Sequence, residues 1–255
     1  MNTTSVYDDL TYYNLIYKMF NDNNYYSVKK YYQLVSNGRL NLETVFVNGQ
    51  SSLEIEEFHR HEVVNNTLTQ NQSSGYTPGK NYSIEVFGSP YELPMEEKFV
   101  FEYKIIDDVA LSVKNYLQSN NIMQEMDAND DGYIDAMTTY ILPDDSSEGT
   151  PQEVSVDWGD LMWPHMSMVA VDEIEAMISE MVGPVFAEMA WGMVGINKEN
   201  FSYTFDDDGE EITKKFGNYI FTMLGTDLHN QTSYPYPKNN TEIHEMGHIL
   251  GFPDY

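Results

Sequence analysis

Residues 241–255, T-E-I-H-E-M-G-H-I-L-G-F-P-D-Y, constrain this chain more than any other stretch. His244 and His248 stand four apart, and side chains four apart stack on one face of an α-helix, so a helix here brings the two imidazoles together. Gly251, a turn after His248, can take the positive φ that stops a helix and swings the chain back toward the same face. Asp254 follows as a third donor. Nitrogen and oxygen donors in this arrangement suit a zinc ion, with His244, His248 and Asp254 as its ligands. Glu245, next to the first ligand but not itself one, stands where a general base reaches a water at the metal. Two surface histidines on an ordinary helix would explain His-Glu-x-x-His alone; Gly251 and Asp254 at their offsets favour the metal reading.

The full pattern, His-Glu-x-x-His-x-x-Gly-x-x-Asp, resembles that of the metzincin peptidases, which carry His at the last position. It is closer to the immune inhibitor A-like bacterial zinc metallopeptidases, which place Asp there. Two further stretches are similar to that family: S-V-K-K-Y-Y-Q-L-V-S-N-G-R-L at residues 27–40, and W-G-D-L-M-W-P-H at residues 158–165. The resemblance implies a secreted zinc endopeptidase acting on protein or peptide substrates. It also implies an α/β, metzincin-like fold, with a twisted mixed sheet, a backing helix and an active-site helix. Residues 1–255 then form one metallopeptidase catalytic domain, with a helical insert at 168–196. The domain is expected to be incomplete at both ends, since the family's opening hydrophobic strand is missing and its methionine turn would follow Asp254. His165 is read as a structural histidine in a tryptophan-lined turn.

A second constellation is D-A-N-D-D-G-Y-I-D, residues 127–135. Asp127, Asn129, Asp131 and Asp135 occupy positions 1, 3, 5 and 9 of an EF-hand-like loop, with Gly132 at the sharp turn and Tyr133 offering its backbone carbonyl. These five residues are expected to hold a structural calcium ion. Position 12 is Thr138 rather than the bidentate Glu, so the loop departs from a true EF-hand. A metal-free acidic turn is the alternative.

Composition narrows the function further. With 41 acidic against 13 basic residues the net charge is -28, which disfavours nucleic acid and anionic membranes as partners. The chain has no cysteine, which excludes thiol nucleophiles, disulfides and thiolate metal sites. No apolar run is long enough to span a bilayer, and residues 1–10 are too polar for a signal peptide, so secretion would rest on a signal outside the chain. A calcium-stabilised extracellular binding or adhesion module with an inactive or incomplete peptidase site is the alternative function. Oligomeric state is not legible.

Along the chain, helical spacing predicts helices over 12–20 and 27–36, the second capped by Ser27 and ended by Gly38. Strands are expected at 40–47, at 82–86 before Gly88, and at 133–142 as an interior strand. Residues 65–80 read as an exposed loop. Ile106, Val109, Val113 and Leu117 form the stripe of a helix packed on a sheet. Residues 172–193 read as two helices broken at Gly183-Pro184, their methionines more suited to core than to a cleft wall. Strands at 203–205 and 219–224 flank an acidic turn at 206–209, expected to be solvated rather than a second metal site.

Overall fold

The computed structural model of the chain describes residues 10–23, 27–47, 63–64, 67–68, 79–86, 88–141, 165–223 and 240–253. Two helices come first, α1 (Leu10–Asn21) and α2 (Val28–Val35). Ser27 caps α2 as its spacing predicts, its Oγ accepting from Lys30 N–H at 3.0 Å. Gly38 ends that turn at φ 76°, its N–H donating to Gln33 O. Two short hairpins follow, β1 (Val63–Val64) with β2 (Thr67–Leu68), and β3 (Asn81–Val86) with β4 (Ser89–Glu96). The long helix α3 (Glu97–Asn120) leads through a 3-10 turn at Met123–Met126 into β5 (Tyr133–Ile134) and β6 (Met137–Ile141). Then come β7 (His165–Met168), helices α4 (Val171–Val182) and α5 (Pro184–Val194), and a 3-10 turn at Lys198–Phe201. Strands β8 (Ser202–Asp207), β9 (Glu210–Phe216) and β10 (Asn218–Met223) precede the final helix α6 (Asn240–Ile249).

The class is mixed α/β, but the strands do not form one sheet. Two three-stranded mixed sheets form instead, in the orders β6-β10-β7 and β5-β9-β8. In the first, β10 lies parallel to β6 and antiparallel to β7; in the second, β9 lies parallel to β5 and antiparallel to β8. The run 133–142 is therefore split at Asp135-Ala136, and β6 is an edge strand among the described residues, not the interior strand expected. Residues 40–47 form no strand and pair with none among the described residues, which corrects the strand expected there. Asp208 and Gly209, at φ 51° and 89°, make the tight β8–β9 turn, and Asp206 Oδ1 accepts from Gly209 N–H. The acidic turn is thus held by its own side chain.

Sheet β6-β10-β7 separates two cores because side chains alternate along β10. Tyr219 and Phe221 enter the larger core with Val100, Ile106 and Leu117 of α3. Ile220, fully buried, enters the smaller core with Phe20, Val28 and Met246. That second core fixes α6 against α1, α2 and the sheet. Helices α4 and α5 break at Gly183, whose φ is 92°. Met177, Met189 and Met193 lie 40%, 50% and 42% exposed, so these three methionines do not form the core of the segment; Ile178, Ala187, Ala190 and Trp191 do. No helix among the described residues is long and apolar enough to cross a membrane.

Ile220 is the sheet's main contribution beneath α6. Ile220→Ala is expected to cost about 2–5 kcal/mol, the range for truncating a buried aliphatic side chain. Urea unfolding should show it as a lowered midpoint, with a slope unchanged from the wild type.

Candidate metal centre

Helix α6 carries the terminal motif and ends as the glycine predicts. Gly251 takes φ 86°, its N–H donates to His248 O at 2.9 Å, and Phe252 N–H donates to Gly247 O at 2.9 Å. This is a Schellman turn, and it returns the chain across the helix end. The returning Phe252 carbonyl lies 2.9 Å from His248 Nδ1. A carbonyl oxygen only accepts, so Nδ1 carries the proton and the lone pair of His248 sits on Nε2. That nitrogen faces His244 Nε2 at 3.1 Å, and the two rings stand edge to face. Tetrahedral zinc with bonds of about 2.0–2.1 Å to nitrogen separates two ligand atoms by roughly 3.3–3.4 Å, so the pair is set close to that spacing.

Glu245 completes the cluster. One donor atom from each of His244, Glu245 and His248 lies within 4.8 Å of the others, the one such group of three metal-ligating side chains among the described residues. His244 is exposed, His248 half-buried and Glu245 only 7% exposed. Asp254, the expected third ligand, lies outside the described residues, as do Trp158, Trp163 and Pro164.

Three residues not singled out in the sequence seat this helix. Tyr32 Oη donates to Ile243 O at 2.6 Å across 211 positions of chain. Burial, with Tyr31 adding, pushes its phenol up to about 12, so it stays a donor at neutral pH. Tyr140 Oη donates to Glu242 Oε1 at 2.7 Å. Glu242 is 5% exposed, and its Oε2 has no hydrogen-bond partner among the described residues. Burial raises its pKa above the ordinary carboxylate range, the Tyr140 hydrogen bond pulls it back, and the neighbouring Glu245 raises it again. The signal for Glu242 was present in its spacing, three before Glu245 on the same helix face.

The acidic loop is folded around its first residue. Asp127 Oδ1 accepts from Asp131 N–H and its Oδ2 from Gly132 N–H, at 3.1 and 2.9 Å. Asn129 Oδ1 also accepts from Asp131 N–H, and Gly132 takes the sharp turn at φ 91°. These bonds bring Asp127, Asn129 and Asp131 together as the spacing predicts. Asp135 turns instead onto Ala128 N–H at 3.2 Å. Tyr133 enters β5, and Thr138 is paired with Ile220 in the sheet. Lys214 was not foreseen: its ammonium lies 2.6 Å from Asp127 Oδ2 and 2.9 Å from Asp130 Oδ1. Burial works to raise the Asp127 pKa, yet Lys214 and the Gly132 and Asp131 amides together hold it below the usual range.

His165 belongs to neither group. Its Nε2 donates to Glu102 Oε1 at 2.8 Å, an oxygen that also accepts from Tyr219 Oη at 2.5 Å, and its ring stacks on Phe221. It is paired with Phe221 in the ladder, on the α3 side of the sheet, whereas Met246 of α6 packs with Ile220 on the other. Compared with family models, curated proteins and solved structures, the chain matches none of them.

Gly247 is where the helix and its tyrosine anchor meet. A Cβ there would lie 3.0 Å from Tyr32 Oη. Alanine normally gains about 0.5–1 kcal/mol over glycine inside a helix. Gly247→Ala is therefore expected to destabilise the wild type by displacing Tyr32, and to be neutral or stabilising in a Tyr32→Phe background. A double-mutant cycle by urea unfolding should give a coupling of about 1–2 kcal/mol, and additive effects would refute the contact.

Proposed function

We propose that the chain is the catalytic domain of a secreted, zinc-dependent endopeptidase of the immune inhibitor A-like type, with a metzincin-like arrangement of sheet, backing helix and active-site helix. The observation that carries this reading is the His248 hydrogen bond to Phe252 O, which puts the proton on Nδ1 and the lone pair on Nε2, the nitrogen that faces His244 Nε2. Zinc ligands are commonly oriented in this way by a partner on the other ring nitrogen. His244 and His248 would hold the ion, with Asp254 as the third ligand. When bound, zinc supplies Lewis-acid activation of the scissile carbonyl and of a water.

The chain's own residues do the rest. Glu245, buried at the edge of the cluster, takes a proton from the attacking water and returns it to the leaving amine nitrogen. Tyr140 and Glu242 keep the helix carrying Glu245 in register with the sheet. Calcium at the Asp127 loop is proposed as structural. The donors there are all oxygens, which suits a hard cation, and Lys214 already neutralises Asp127 in part.

Glu245→Gln keeps shape and removes the base. In the zinc-loaded protein it should cut casein or gelatin cleavage by about a hundredfold or more, with zinc content by atomic absorption unchanged. His248→Ala should instead lose the zinc. Wild-type protein that binds no zinc and cleaves neither substrate would favour the calcium-stabilised binding module.

Calcium should raise the melting temperature because it binds the native loop preferentially. Asp131→Ala is expected to abolish that rise while leaving zinc content intact. Lys214→Met, which removes the competing cation, should enlarge it; a melting temperature that ignores calcium in all three proteins would exclude the site.

A further inference from the structure

The chain has 15 methionines and no cysteine, so thioether is the only sulfur it offers to an oxidant. Among the described residues two groups of these methionines stand apart. Met168 at the end of β7, Met177 on α4, and Met189 and Met193 on α5 are between 40% and 57% exposed. Met19, Met95, Met123, Met137 and Met246 lie in the two cores and are between 2% and 8% exposed. Met189 and Met193, four apart, share one face of α5 with the exposed Val185. Beside them the space is open, since a Cβ on Gly192 would meet no heavy atom within 4 Å.

A hydroperoxide oxidises methionine in one step. The sulfur lone pair attacks one peroxide oxygen, the S–O bond forms as the O–O bond breaks, and the other oxygen leaves with a proton as water or an alcohol. Sulfur loses two electrons and the peroxide gains them. The product is a polar sulfoxide in place of an apolar thioether. At the four exposed positions the new S=O dipole faces water and no packing is lost. At Met246 it would enter the apolar core shared with Phe20, Val28 and Ile220, beneath the helix that carries His244 and His248, where a polar group without a partner is costly.

We propose that Met168, Met177, Met189 and Met193 are a sacrificial oxidation site, which consumes hydroperoxides before they reach Met246 and the other core methionines. The protection works by depletion of a shared dissolved oxidant, so it needs no proximity between the two groups. It follows from exposure: the outer sulfurs meet the oxidant in the folded chain, whereas the core sulfurs meet it only when the chain opens. The site lies outside the metal centre and does not depend on the metal reading.

The test treats the full chain with oxygen-18-labelled hydrogen peroxide, up to four equivalents per chain, run until the peroxide is consumed. Peptide mapping by mass spectrometry then locates the labelled sulfoxide, and circular dichroism gives the melting temperature. Sulfoxide is expected at least tenfold more at each of the four exposed methionines than at Met95, Met137 or Met246, with the melting temperature unchanged. In the variant with Leu at all four exposed positions the same dose should raise Met246 sulfoxide at least threefold and lower the melting temperature. Met189→Leu with Met193→Leu should move both readouts in the same direction by less. Label spread evenly over exposed and core methionines would overturn the proposal. So would a fall in the wild-type melting temperature while the label is confined to the four, or variants whose Met246 takes no more oxygen than in the wild type.

Discussion

Two tyrosine hydroxyls hold the rest of this architecture in place. Tyr32 reaches from α2 to the carbonyl of Ile243, and Tyr140 reaches from β6 to the carboxylate of Glu242. Both acceptors lie in the first turns of α6, just ahead of His244. A hydrogen bond to a neutral carbonyl contributes about 0.5–1.5 kcal/mol and one to a charged group about 1.5–3. Ile220 and Met246 supply the apolar floor between them. Without these contacts α6, ten residues long, would be too short to persist by propensity alone.

The candidate centre therefore depends on tertiary anchoring at one end and on local chain chemistry at the other. The anchored end sets where His244 points. The free end sets the chemistry of His248, because the Schellman turn at Gly251 delivers the Phe252 carbonyl to Nδ1. A helix that continued past Gly251 would send that carbonyl away from the imidazole. Glu245, one residue on from the exposed His244, is buried by the same seating of the helix.

Local signals were legible in the sequence where local physics decides them. The cap at Ser27, the stop at Gly38, the break at Gly183-Pro184, the stripe of α3 and the helix of His244 and His248 all depend on neighbours within a few positions. What was not legible depends on partners far along the chain. Residues 40–47 alternate as a strand should, but pairing is a property of two segments and here no partner is present among the described residues. Strand β4, S-P-Y-E-L-P-M-E, contains two prolines and owes its existence to β3. Strand β9, E-E-I-T-K-K-F, reads as charged surface, yet Lys214 is buried because Asp127 and Asp130 wait 84 to 87 positions earlier. Met177, Met189 and Met193 have a helical period that could face core or solvent, and packing of Ile178 and Trp191 decides against them.

The central claim, that His244 and His248 hold a metal through the two nitrogens that face one another, is most directly tested by X-ray absorption at the zinc edge of the zinc-loaded chain. The account predicts one zinc per chain, with imidazole scattering from two histidines and first-shell nitrogen and oxygen at about 2.0–2.1 Å in a four-coordinate site. A six-coordinate, all-oxygen shell without imidazole scattering would contradict it, and would leave the two histidines as an ordinary hydrogen-bonded pair on the surface of α6.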